Sequence, residues 1–111
     1  MELTMTSNQR QAKHPLLKKG DAKVGQVSAL LKAMANDNRL RILCLLAEGE
    51  LSVSELNQQL VLSQSALSQH LAILRRAQLV TTRRDSQTIY YSLEGDCAKT
   101  LITTLDHLTD R

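Results

Sequence analysis

Residues 51–76, LSVSELNQQLVLSQSALSQHLAILRR, decide the fold. They read as two short helices joined by a tight turn, the second led by Ser63. A serine there is a good N-cap, because its oxygen accepts from an otherwise unpaired backbone N–H of the first turn. Leu67, Leu71 and Leu74 recur at i, i+4 and i+7, which is one apolar face. At about 100° per residue, Ser65, Gln69, Ala72 and Arg76 point the other way. That outer face is small and polar, ends in cations, and carries no acid between Glu55 and Asp85. Two readings meet here. A solvated helix face normally carries Glu and Lys pairs. A helix that enters the major groove of DNA needs slim side chains that donate and accept hydrogen bonds. Ser, Gln and His favour the second, a helix-turn-helix with Gln64–Arg76 as its recognition helix.

The chain around this stretch has 111 residues, enough for one modest core. Phe and Trp are absent and Tyr occurs twice, so Leu, Ile and Val must supply the interior, which suits packed helices. Fourteen basic residues stand against eleven acidic, a net charge of +3 that is weak evidence for nucleic acid by itself. Its distribution says more: Arg75, Arg76, Arg83 and Arg84 follow the recognition helix, while Glu48, Glu50 and Glu55 precede it. No apolar run approaches the ~18 residues of a membrane span, and no signal-peptide core opens the chain, so a cytoplasmic protein is expected. Two cysteines without CxxC spacing argue against a disulfide framework or a zinc finger.

Residues 1–20 are polar, hold the one proline (Pro15) and show no sustained period, which predicts a flexible tail before a domain over residues 21–111. A first helix is expected from Asp21 as N-cap, or from later since Gly25 lies inside it, with Val24, Val27, Leu30, Leu31 and Met34 as its stripe. Asn36 is placed to cap a second helix whose LRILCLLA segment, residues 40–47, is apolar nearly all round and therefore predicted buried. Gly49 stops it. Ser52 or Ser54 then caps a short third helix with Leu56 and Leu60 facing inward. Beyond the recognition helix the period changes from 3.6 to 2. Residues 80–82 and 88–93 predict a β-hairpin, with Arg83 and Arg84 at its tip in the polar turn 83–87. A last helix from about Asp96 carries Cys97, Leu101, Ile102, Leu105 and Leu108. The result is a mainly α fold with a β-hairpin wing: four helices, the hairpin, then a helix, a winged helix-turn-helix.

On these residues the best DNA contacts are Ser65, Ser68 and Gln69 for base edges. Ser63, Gln64 and His70 add base or phosphate contacts, and Arg75, Arg76, Arg83 and Arg84 bind phosphate or the minor groove. The first and last helices offer more apolar surface than so short a chain easily covers. A two-fold dimer through Leu30, Leu31, Met34, Leu101, Ile102, Leu105 and Leu108 follows, which pairs the recognition helices on an inverted-repeat site in double-stranded DNA. The competing function class is a protein-interaction module that uses the winged helix for docking. An enzyme is disfavoured, since no Ser/His/Asp or Cys/His arrangement and no Gly-rich phosphate loop is present.

The segment KAMANDNRLRILCLLAEGELSVSELNQQLVLSQSALSQHLAILRRAQLVTTRRDSQTIYYSL, and within it NRLRIL, LSQSALSQHL and YYSL, resembles the core of the ArsR/SmtB-type winged-helix regulators over residues 26–108. It looks most like their HlyU-like (hemolysin activator) branch, near the sulfide- and redox-sensing members. The resemblance implies a homodimer built on the first and last helices, an inverted-repeat operator and release of DNA on a small signal. It leaves open whether the chain represses or activates. Metal-sensing members place a Cys-x-Cys pair where this chain has Ser52 and Ser54, and serine is a poor ligand for soft metals. A second metal type uses paired Asp and His along the last helix. Asp96, Asp106, His107 and Asp110 do not reproduce that spacing. No metal and no cofactor is therefore expected. The redox branch uses two cysteines. Cys44 matches the first, but Asp110 stands near the second, and Cys97 lies 13 residues earlier, or ~20 Å along a helix. A disulfide needs Cα atoms within ~7 Å. Cys44, with Cys97 as its only possible thiol partner, is thus the candidate redox sensor, against the plainer reading of a small buried hydrophobe.

Overall fold

The computed structural model describes residues 13–110. The elements run α1 (Pro15–Lys18), α2 (Asp21–Met34), α3 (Asp37–Ala47), β1 (Leu51–Ser52), α4 (Val53–Gln59), α5 (Gln64–Arg76), β2 (Val80–Asp85), β3 (Thr88–Leu93) and α6 (Cys97–Thr109). They fall into two compact units, Met1–Lys32 and Ala33–Arg111.

In the first unit, residues 15–18 form one helical turn where no regular structure was expected. His14 caps it, its ring nitrogen accepting from the Leu16 N–H at 3.1 Å, and Pro15 at the first helical position presets φ. A single turn has no period for a sequence to display. The rest of the expected tail, residues 1–12, lies outside the described residues. α2 has Asp21 as its first helical residue and not as its cap, and Gly25 does not delay its start.

The second unit holds the winged helix-turn-helix. Asn36 caps α3, accepting from the N–H groups of Asn38 and Arg39 at 2.9 and 3.1 Å. Of the apolar LRILCLLA segment, Ile42, Leu43 and Leu46 are buried against α5, β3 and α6, whereas Arg41 and Cys44 are exposed. The expectation of burial all round is corrected: the elements of this unit cover one side of α3 and leave the other open. Gly49, at φ +149°, turns the chain out of α3 in a conformation that residues with a Cβ rarely adopt. A capping box starts α4. The Ser52 Oγ accepts from the Glu55 N–H at 3.1 Å, and Glu55 Oε1 accepts from the Ser52 N–H at 2.8 Å.

The hairpin was expected as two strands; the sheet has three, in order β1-β3-β2. β1 pairs antiparallel with β3 through Leu51↔Tyr91 and Ser52↔Tyr90, and at two residues it is too short to alternate visibly. β2 and β3 pair from Val80↔Leu93 to Asp85↔Thr88. The turn is therefore only Ser86-Gln87, with Ser86 at φ 59°, and Arg83 and Arg84 lie in the strand, opposite Tyr90 and Ile89, instead of at the tip. Polarity in residues 83–85 does not mark a turn here, because the side chains of a projecting hairpin are solvated whether or not the backbone is paired. The core is leucine-rich: Leu56, Leu60, Leu67, Leu71, Leu74 and Leu79 join Ile42, Leu43, Leu46 and Val80.

Candidate nucleic-acid interface

Two helix caps and one turn set the geometry of the helix-turn-helix. Leu60 is buried at the end of α4, the chain crosses residues 61–62, and Ser63 Oγ accepts from the Ala66 N–H at 3.0 Å to start α5. That bond uses a lone pair of the Ser63 hydroxyl and leaves its O–H proton available to a phosphate. Leu67, Leu71 and Leu74 seal the inner face. Consequently Gln64, Ser65, Ser68, Gln69, Ala72, Arg75 and Arg76 are all exposed on the outer one. At its far end α5 closes in a Schellman arrangement. The N–H of Leu79 reaches the Leu74 carbonyl and that of Gln78 the Arg75 carbonyl, both at 3.0 Å, with Gln78 left-handed at φ 61°. This turn aims the chain into β2.

Two candidates sit differently from expectation. His70 is half-buried, and its Nδ1 lies 3.3 Å from Nη1 of Arg39 on α3. A guanidinium has no acceptor, so that nitrogen accepts and the ring faces α3 and not outward. Arg39 is itself anchored, its Nε donating to the Ala33 carbonyl at 2.6 Å. Arg83 donates from Nε and Nη2 to the two carboxylate oxygens of Glu50, at 2.7 and 2.8 Å, and lies 4.5 Å from the centre of the Tyr90 ring. Glu50 raises the pKa of Arg83 still further, so its charge is permanent but locally compensated.

A cleft of about 420 Å³ separates α4 and α5 from the wing, lined by Ser54, Asn57, Gln58, Gln64, Gln87 and Thr88 together with Val53 and Ile89. Sequence reading missed Asn57, Gln58 and Gln87. All three are neutral amides, the same chemistry that singled out Gln64 and Gln69, but Asn57 and Gln58 lie on a helix read for its leucines and Gln87 in a turn read for its arginines. Cys44 lines a groove of about 650 Å³ between α3 and α6 with Leu40, Ile102, Leu105, Asp106 and Thr109. Cys97 is exposed at the other end of α6, away from that groove. Met34 is 4% exposed and belongs to the core, which removes it from the apolar surface offered to a partner. Leu31 in the first unit is 52% exposed, and Leu105 and Leu108 in the second are 43% and 60% exposed. Ser52, at a position where metal-sensing members carry a thiolate, is consumed by the capping box. Among the described residues no three His, Cys, Asp or Glu side chains are grouped as a metal site, and no helix is long and apolar enough to cross a membrane.

Comparison with known proteins agrees with this geometry. Residues 36–82 match the family described as bacterial regulatory protein, arsR family. The chain is 58% identical to the transcriptional activator HlyU of Vibrio cholerae over 79 residues, 71% of this chain and 73% of that protein. It is 46% identical over 80 residues to a biofilm growth-associated repressor of Agrobacterium fabrum, covering 72% of this chain and 68% of that one. Among solved structures, reduced HlyU from Vibrio cholerae superposes with a TM-score of 0.75 at 49% identity, over 86% of this chain and 97% of that one. A homodimeric winged helix-turn-helix DNA-binding domain from Mycobacterium bovis gives 0.76 at 31% identity, over 90% and 91%.

Proposed function

The chain belongs to the arsR family of bacterial regulatory proteins, winged helix-turn-helix transcription regulators and not enzymes, and on that premise we propose that it binds an inverted-repeat operator as a homodimer in the cytoplasm. The observation that carries this reading is the outer face of α5: neutral hydrogen-bonding side chains in its middle, Arg75 and Arg76 at its end, and no acid. Ser65, Ser68 and Gln69 read base edges; Ser63, Gln64, Arg75 and Arg76 hold phosphates, and Arg84 does so from the wing. One helix contacts only a few base pairs, so a unique site requires two. The homodimeric Mycobacterium relative supports pairing, and the exposed leucines of α6 support that helix as its surface. Relatives named as activator and as repressor both occur, so the family does not fix the sign of regulation.

The signal we assign is a redox or reactive-sulfur species acting at Cys44. Its thiol is exposed in the α3–α6 groove, and a relative named in a reduced form supports the reading. The thiol is not in the core, so overpacking is not the route. An adduct in the groove would instead press α6 away from α3 and shift the helix that joins the protomers. Selection of bound fragments from random DNA, followed by footprinting with and without polysulfide, tests both parts. The expected result is two protected half-sites about one helical turn apart, ~34 Å, that are lost on treatment of wild type but not of Cys44→Ser. Enrichment of no sequence would leave a protein-docking module as the better description.

A further inference from the structure

We propose that Arg83 is a positioning residue that straps the wing to the helix-turn-helix, with Glu50 as its anchor, and that it does not itself contact DNA. The proposal rests on the reading of β2 and β3 as a DNA-binding wing. Three observations converge on it. The Nε–Nη2 edge of the Arg83 guanidinium donates to the two oxygens of Glu50, at 2.7 and 2.8 Å. The same guanidinium lies over Tyr90, 4.5 Å from the ring centre. The register places Tyr90 of the middle strand between Arg83 of β2 on one side and Ser52 of β1 on the other. Glu50 immediately precedes β1. The side chains of Glu50, Tyr90 and Arg83 therefore cross the whole sheet from edge to edge. The near end of this strap is attached where it matters: Ser52, two residues after Glu50, is the cap of α4. The angle between the wing and the helix-turn-helix is held across this sheet, so the strap limits how far the wing swings from the groove that α5 occupies.

Charge leads to the same assignment. A phosphate would find the Nε–Nη2 edge of Arg83 already taken by a carboxylate that compensates its charge, an arrangement among the strongest a guanidinium makes. Arg84, one residue on, points to the opposite face of β2 and is exposed. It forms no ion pair among the described residues and is the wing cation available to the DNA backbone.

The strap predicts a sign that simple electrostatics does not. Removing an acid beside a DNA-binding surface should strengthen binding. If Glu50 is an anchor, its removal weakens it. Operator affinity of the full chain is measured by fluorescence anisotropy over a range of KCl for wild type, Glu50→Gln, Arg83→Gln, the double variant, Arg83→Lys and Arg84→Gln. Glu50→Gln and Arg83→Gln are each expected to bind about three- to ten-fold more weakly, since one surface pair is lost in each wing of the dimer. The double variant should be no weaker than either single one, and the salt slope of all three should match wild type. Arg83→Lys, which keeps the charge and loses the fork, should behave like Arg83→Gln. Arg84→Gln alone should flatten the slope, by about one unit per protomer. Tighter binding by Glu50→Gln, a flatter slope for Arg83→Gln, or full affinity in Arg83→Lys would overturn the strap. Wild-type protein with no preference for operator over scrambled DNA would instead remove the DNA reading, and the strap with it. The pair is on the surface, 54% and 32% exposed, so the variants leave the core intact.

Discussion

Gln78 holds a left-handed backbone, φ 61°, at the residue that ends the Schellman turn after α5. Glycine is the usual occupant of such a position because a Cβ is penalised there. Gln78 is exposed and its backbone N–H already serves the turn, so Gln78→Gly should stabilise the fold by ~1 kcal/mol, measured as a higher urea midpoint at unchanged m-value. A lower midpoint would show that the glutamine side chain contributes more than its backbone costs. Gln69 is exposed in the middle of α5 and, under the proposed function, is the candidate for a bidentate base contact. Gln69→Ala should cost ~1–3 kcal/mol on the cognate site and little on random DNA, and equal losses on both would deny it a reading role. At this scale the sequence was partly legible. Spacing along α5 placed Ser65, Gln69, Ala72 and Arg76 on the outer face, and all four are exposed, because helical periodicity is a local property. It could not show that His70 meets Arg39 or that Arg83 meets Glu50, since both pairs join elements 31 and 33 residues apart.

Among the elements, the caps were the most readable features. Asn36, Ser52 and Ser63 all start helices, and α5 spans the residues the spacing indicated, because capping and amphipathicity act within one turn. Asn36→Ala should cost about 0.5–2 kcal/mol in denaturant unfolding, since its side chain satisfies two N–H groups of α3. A loss near zero would mean that water replaces the cap without penalty. The wing was less readable. β1 is two residues long and exists only because β3 offers it an edge, and the true turn is two residues and not five. The openness of one face of α3 was equally hidden, since an apolar segment does not reveal how many neighbours surround it.

For the whole molecule, the unfinished apolar surface of α6 is the central fact. Leu105 and Leu108 are exposed although the helix is otherwise seated by Ala98, which is fully buried. Leu105→Glu should leave the protomer folded, yield monomers in sedimentation and abolish tight operator binding; an unaltered dimer would place the interface elsewhere. The fold class was legible from pattern and resemblance, but the dimer cannot be read from one chain's burial. The most direct test of DNA reading by paired α5 helices is a competition titration at fixed salt, with wild-type protein on its selected inverted repeat against scrambled DNA of equal length. The account predicts a preference of about a thousand-fold or more. Equal affinity for the two would contradict it.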